Sequence, residues 1–255
     1  MSYEFIDLEQ GEQVTRLVLN RPPLNVLNIS MMRELQAALD EVAADDQVKV
    51  LVITGAGRAF CAGVDVADHT ADRVSEMLHV FHDGIRRVMS LPVPVVAAVN
   101  GAALGGGWEL AMACDMVVAS EKAKIGQPEI QLAVFPPVAA VLMPRLTGWQ
   151  QAMELILTGK TITAAEGQQL GLVNRTLPAA DFPRGVDEFV GQLTALSGPV
   201  LRLTKRAVKA SLELGIQPAL ELTEHIYLNE LMALEDPHEG LAAFMEKRRP
   251  VWKNQ

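Results

Sequence analysis

The chain has 255 residues, enough for one substantial core with an appendage, and its 49 % apolar and 21 % charged residues exclude a disordered chain. A net charge of −9 argues against nonspecific binding to nucleic acid or to an anionic membrane surface, and no apolar run is long enough to span a membrane. Two cysteines, Cys61 and Cys114, make no disulfide framework, and MSYEFIDLEQ lacks the basic and apolar regions of a secretory signal, so a cytoplasmic location is expected. Residues 13–20, QVTRLVLN, place Val14, Leu17 and Leu19 in loose alternation and read as a strand closed by RPP. Ser30 is the expected cap of a helix over 30–44, with Leu35, Leu39 and Val42 at helical spacing. Residues 48–54, VKVLVIT, read as a buried strand, followed by the glycine-rich loop GAGRAFCAGVD at 55–65 and a helix to Ser90. A second buried strand is expected at 95–99, a helix from the glycine triplet 105–107, a strand at 115–119 and a helix near 150–157. TAAEGQQLGLV at 163–173 reads as a helix ending at a glycine, and the chain from 198 onward is helical in pattern. Strands alternating with helices predict an α/β protein with parallel strands.

Two glycine-bearing loops follow buried strands, and each reads first as a tight turn. GAGRAF at 55–60 approaches a dinucleotide-binding fingerprint, but Phe60 stands at the last glycine position, where close helix packing needs glycine. Neither loop closes with the Gly-Lys-Ser/Thr of a P-loop. A third reading is an oxyanion hole, with one backbone N–H from each loop meeting on one ligand oxygen beside a helix N-terminus. Three glycines in succession are costly in a helix, by about 1 kcal/mol each against alanine, which suits a site where a ligand approaches the backbone.

Two carboxylates accompany these loops. Glu109 lies within about a turn of the triplet, and Glu129 sits in the otherwise nearly uncharged stretch IGQPEIQLAVFPP. Paired carboxylates in apolar surroundings titrate together near neutral pH, which lets one give and one accept a proton. Each alone also reads as an ordinary charge, Glu109 complementing a helix N-terminus and Glu129 solvated on a loop. His79, His82 and Asp83 read as a helix face rather than a metal site, Cys61 as a packed thiol rather than a nucleophile, and EKRR at 246–249 as either a phosphate contact or a solvated face.

FCAGVDV (60–66), VNGAALGGGWELAMACD (99–115) and AKIGQPEIQLAVFPP (123–137) together resemble the crotonase, or enoyl-CoA hydratase/isomerase, superfamily. The likeness extends through RPPLNVLN (21–28), LTGKTITAAEGQQLGLVN (157–174) and GLAAFMEKRRPVW (240–252), nearly the whole chain. It implies a crotonase (ClpP/crotonase-like) spiral of ββα units over 1–197 and a helical C-terminal trimerisation region over 198–255, assembled as a homotrimer or as a hexamer of paired trimers. The implied substrate is an acyl-CoA thioester whose carbonyl oxygen is held by the N–H groups of Val64 and Gly106, with Glu109 and Glu129 handling water and the α-proton. Leu24, Ala62, Asp65 and Val66 match positions lining the CoA channel, and Phe244 and Lys247 match tail residues that contact CoA, sometimes across a subunit boundary. No metal and no separate cofactor is implied, coenzyme A being part of the substrate.

The chain departs from many hydratases after Glu129, where a glycine-rich stretch is replaced by FPPVAAVLMPRL (135–146). Pro136, Pro137 and Val138 are expected to stiffen and reshape the acyl pocket, which Phe135 and Pro136 line and where Trp108 offers a flat wall to a ring. FPPVAAV with RPPLNVL resembles the cyclic dienoyl-CoA hydratases of anaerobic aromatic degradation, which convert cyclohexa-1,5-diene-1-carbonyl-CoA to 6-hydroxycyclohex-1-ene-1-carbonyl-CoA. A straight-chain enoyl-CoA hydratase, an isomerase and a noncatalytic acyl-CoA binder are the alternatives.

Overall fold

The computed structural model describes residues 3–255. Among these residues the strands form a six-stranded sheet and a smaller four-stranded one. Strands β1 (Ile6–Gln10) and β2 (Val14–Leu19) pair antiparallel, and β2 runs parallel to β3 (Val50–Gly55). Along β2 the buried row is Thr15, Leu17 and Leu19; Val14 points the other way, which explains the looseness of the alternation. Sheet order continues parallel through β5 (Val95–Val99), β7 (Met116–Ser120) and β10 (Arg175–Leu177). The second sheet is β4 (Ala59–Cys61), β6 (Ala102–Leu104), β8 (Lys124–Gly126) and β9 (Thr161–Thr163).

Each long strand hands the chain to a short strand of the second sheet and then to a helix. The turns are β3–β4–α2 (Val74–Ser90), β5–β6–α3 (Gly106–Ala113) and β7–β8–α4 (Pro137–Thr147). This is the expected spiral of ββα units. Its pitch stacks the β4, β6 and β8 corners, so the loops after them lie side by side.

Helix α1 (Ile29–Ala44) is capped by Asn28, not by Ser30: the Asn28 side chain accepts from Met31 N at 2.8 Å while its own backbone stays extended. Ser30 falls inside the first turn, because the chain leaves the 24–27 segment two residues earlier than the sequence suggests. The buried face of α1 includes Leu35, Leu39 and Val42 as expected. Helix α5 (Trp149–Thr158) follows, and α6 (Ala164–Gln169) opens on a capping box between Thr163 and Glu166 and closes before Gly171 at φ +78°. The far face of the large sheet is covered by α7 (Phe182–Thr194), whose Phe182, Val186 and Val190 pack on Val50, Val52, Val96 and Val118. Neither α4 nor α7 stood out in the sequence.

Ser197 caps α8 (Gly198–Ser211), which leads to α9 (Ile216–Asn229) and α10 (Glu235–Met245). Helix α8 is tied to the sheet where Lys205 and Lys209 meet Asp115 at 2.6 and 3.1 Å, while Asp115 also accepts the Val95 N–H. The last residues fold back: Asp236 accepts from Lys253 N and Asn254 N, and the Trp252 indole donates to Ala195 O at 2.8 Å.

Candidate active site

The first loop is held by the segment before α1. Leu27 forms a parallel bridge with Val64, made by Leu27 N to Gly63 O at 2.9 Å and Asp65 N to Leu27 O at 2.8 Å. In that pattern the Val64 N–H points away from Leu27. Buried Asn25 supports the same loop from beneath: its Nδ2 reaches the carbonyls of Ala56, Ala59 and Phe60 at 2.9–3.2 Å. Such an amide in RPPLNVLN is a functional support that sequence reasoning missed, its only signal being a polar residue between apolar ones.

The second loop ends on the glycine triplet. Gly106 is the first residue of α3, so its N–H is one of the donors a helix N-terminus leaves without an intrahelical acceptor. A Cβ on Gly106 would lie 2.6 Å from Val64 Cγ2 and 3.6 Å from Val64 N. The amides of Val64 and Gly106 thus border one small gap, where two donors and a helix dipole can take a single carbonyl oxygen.

Glu129 stands beside this gap, and Glu109 lies close enough to Glu129 for their charges to interact. Glu129, in the 3-10 turn Pro128–Leu132, brings its Oε1 to within 2.6 Å of where a Gly105 Cβ would stand. The side-chain amide of buried Gln127 faces it, and with that amide turned so that its nitrogen meets the carboxylate it donates to Oε1 and Oε2 of Glu129 at 3.0 and 3.1 Å. Glu109 is 3 % exposed, and its Oε1 accepts the Ala139 N–H in the first turn of α4 at 2.7 Å. Pro137 opens α4, so the first N–H the helix offers belongs to Val138. Burial pushes the Glu109 carboxyl up to about 7, and the charge of Glu129 adds to the rise while the Ala139 and Val138 amides oppose it. Burial likewise raises Glu129 to about 7, against its own backbone N–H. Near neutral pH such a pair offers an acid and a base at once.

Other expected residues divide. Leu24 and Ala62 are half-buried and joined by the Ala62 N to Leu24 O bond, and Val66 is exposed beside them. The Asp65 carboxylate is occupied: it meets Arg21 at 3.1 Å and accepts from Ala67 N at 3.2 Å, capping the turn Val66–His69. Its role on this geometry is to shape the loop. Phe135 is 67 % exposed and Pro136 is buried at the entry to α4. Trp108 overturns the expectation placed on it. It is 1 % exposed and packs in the main core, since the residue before Glu109 on α3 points inward, and it presents no wall to a ligand. Phe244 is 84 % exposed and Lys247 exposed, on a tail whose hydrogen bonds run to α10, Ala195 and Gly198 and not to either glycine loop. His82 and Asp83 lie along α2, where Asp83 binds Arg87 at 3.0 Å.

A ββα spiral with two glycine loops around one gap and a carboxylate pair beside it defines the crotonase class of α/β proteins. Residues 9–255 match the family described as enoyl-CoA hydratase/isomerase, and the chain belongs to that family. Membership carries enoyl-CoA hydratase/isomerase activity. A probable enoyl-CoA hydratase of Rhizobium meliloti (strain 1021) is 42 % identical over 100 % of both chains. The cyclohexa-1,5-dienecarbonyl-CoA hydratase of Thauera aromatica is 36 % identical over 97 % of this chain and 96 % of its own. The crystal structure of an enoyl-CoA hydratase from Bacillus anthracis superposes with a TM-score of 0.94 at 33 % identity, covering 99 % of this chain and 100 % of that one.

Proposed function

We propose that this chain adds water across the double bond of a conjugated enoyl-CoA thioester, with Glu109 and Glu129 as its catalytic pair. One observation carries the reading: Glu129 stands beside the glycine triplet whose Gly106 closes on Val64, and it is coupled to buried Glu109, both carboxyls being raised to about 7. Val64 N–H and Gly106 N–H polarise the thioester carbonyl and hold the enolate oxygen that develops on it; removal of one such donor typically costs about 3–4 kcal/mol of barrier. Glu109, held by the Ala139 amide in a way that favours its ionised form, takes a proton from water as the oxygen attacks the β-carbon. Glu129 delivers its proton to the α-carbon, and proton exchange between the two carboxyls restores the starting state. The sum is substrate plus water, redox-neutral, and no step calls for a metal or redox cofactor.

The finer substrate we propose is cyclohexa-1,5-diene-1-carbonyl-CoA, as in anaerobic aromatic degradation. Its support is the rigid Phe135-Pro136-Pro137 entry to α4 and the 36 % identity to the Thauera aromatica hydratase. Buried Trp108 gives it none. Leu24, Ala62 and Val66 are assigned to the CoA channel, and Phe244 and Lys247 to a neighbouring copy's CoA. A homotrimer or hexamer is supported by the uncovered apolar residues Val208, Leu212, Ile216, Leu220, Phe244 and Met245 on the helical tail, and sedimentation measures it.

Glu129→Gln tests the chemistry: binding of the CoA ester is retained and turnover falls about 10²–10⁴-fold. Turnover near wild type rejects the assignment. Mass spectrometry separates hydration, which adds one water to the product, from isomerisation, which adds nothing. A turnover panel of crotonyl-CoA against the cyclic diene ester decides the acyl group; strong preference for the straight chain removes the aromatic-degradation reading.

A further inference from the structure

The three glycines of the triplet meet three different neighbours. A Cβ on Gly107 would lie 2.2 Å from Cys61 O and 2.8 Å from Cys61 C, so this residue lets α3 pack against the backbone of β4. One on Gly106 would reach Val64 Cγ2 and fill the gap between the two amides. One on Gly105 would come within 2.6 Å of Glu129 Oε1 and 3.4 Å of Glu129 Cδ, with Gly63 Cα next at 3.8 Å. Gly105 therefore meets no backbone closely; what it meets is the tip of a flexible carboxylate.

We infer that Gly105 is a positioning residue for Glu129: its bare Cα forms one side of the slot that sets where the carboxylate stands. The other side is the Gln127 amide, at 3.0 and 3.1 Å from the two carboxylate oxygens. Gln127 is fully buried, so the amide is fixed, and a carboxylate displaced by a new Cβ loses its fit against that amide. The backbone of Gly105 is pinned as well. Its N–H donates to Gly126 O at 2.9 Å, and its φ of +51° with ψ of −130° mirrors an ordinary extended residue, a conformation that only glycine adopts freely. Gly126 lies three residues before Glu129, so one hydrogen bond ties the start of the triplet to the segment that carries the acid.

The three glycines differ in function. Gly106 serves the carbonyl oxygen, Gly107 serves the fold, and Gly105 serves proton delivery. A methyl at 105 sits on a strained backbone at φ +51°, which lowers the melt, but it points at the acid and not into the cavity for the thioester oxygen, and it moves the acid by about the depth of the overlap. Misplacement of a reacting group by about 1 Å costs on the order of 10²-fold in rate.

The inference rests on the hydratase reading of this site, and the test keeps the two apart. Wild-type protein is assayed first with an enoyl-CoA ester; absence of any hydration there sinks the reading itself. With an active wild type, Gly105→Ala is expected to lower kcat about 100-fold while KM stays within about threefold and cooperative unfolding is kept. A chromophoric enoyl-CoA, whose absorption moves to the red when its carbonyl is polarised, still shifts on Gly105→Ala and fails to shift on Gly106→Ala. Glu129→Asp, shorter by one methylene, slows the wild type but partly rescues Gly105→Ala, so the double variant is at least about tenfold faster than the product of the single losses. Multiplicative losses overturn the inference, because they place the damage in the backbone and not in the carboxylate contact. So do a Gly105→Ala enzyme as fast as wild type, loss of the red shift in that variant, and its failure to fold, which would assign Gly105 to the fold alongside Gly107.

Discussion

Glu109→Gln is expected to give an inactive protein that is more stable than wild type in alkaline solution and not in acid. The Glu109 carboxyl is raised from 4.5 to about 7 in the folded protein, chiefly by burial. The folded state therefore holds the proton more tightly than the unfolded chain. This contribution to stability is complete below about pH 4.5 and is lost as pH climbs through about 7. At about 1.4 kcal/mol per unit, the loss amounts to roughly 3 kcal/mol by pH 8.5. Glutamine has nearly the same shape, its Oε1 can still accept the Ala139 N–H, and it cannot ionise. Any cost of seating its NH₂ group is the same at every pH and cancels when the two proteins are compared across pH. For a chain of this size about 3 kcal/mol corresponds to roughly 6–12 °C in melting temperature. Melting curves of both proteins at pH 4.5, 6, 7 and 8.5 should show the variant gaining on wild type by that amount between the first and the last. A gap that stays constant from pH 4.5 to 8.5 would mean that Glu109 is ordinarily solvated, and the acid–base pairing drawn from its burial would fall with it.

Three further expectations concern the scaffold. Asn25→Ala removes the amide that meets three carbonyls in the first loop and leaves a residue at φ +55° without a side chain suited to it. Buried groups left unpaired cost about 1–3 kcal/mol each, so the variant should melt at least about 5 °C lower, with Asn25→Gly less affected; a melt within 1 °C of wild type contradicts the role. Lys247 follows the cap of α10 at φ +55°, where Lys247 N meets Phe244 O at 3.2 Å and Arg248 N meets Ala243 O at 3.0 Å. Glycine prefers that position, so Lys247→Gly should gain about 0.5–1 kcal/mol in stability while raising KM for the CoA ester; an unchanged KM takes Lys247 out of substrate binding. Gly107→Ala should abolish soluble expression, because its Cβ would stand 2.2 Å from a backbone oxygen, and an active, soluble variant would refute the close packing of α3 on β4.

Much of this protein lies open in short stretches of its chain. Val50, Leu51, Val52 and Ile53, the run from Val95 to Val99, and the helical spacing of Leu35, Leu39 and Val42 are local patterns, and neighbours along the chain suffice to read them. The triplet before Glu109 marks a backbone that other groups approach closely, since three glycines are costly at a helix start. What escaped reading depends on residues far apart in sequence. Glu109 takes its hydrogen bond from Ala139, thirty positions on, and Asn25 holds carbonyls more than thirty positions away. The three-residue strands of the second sheet carry too few side chains to show a period. Trp108 illustrates the limit: an aromatic beside a catalytic acid looks like a pocket wall until the turn of α3 is known, and then it is core.

The amino-acid sequence by itself determined the long strands, the amphipathic helices such as α1 and which two loops carry bare backbone, because propensity and glycine act within a few residues. Only the tertiary structure decided that those loops face one gap, that both carboxyls are buried enough to sit near 7, and that each glycine answers to a different neighbour. The physical reason is that burial and through-space distance follow from the pitch of the ββα spiral, and that pitch is a property of all its turns packed together.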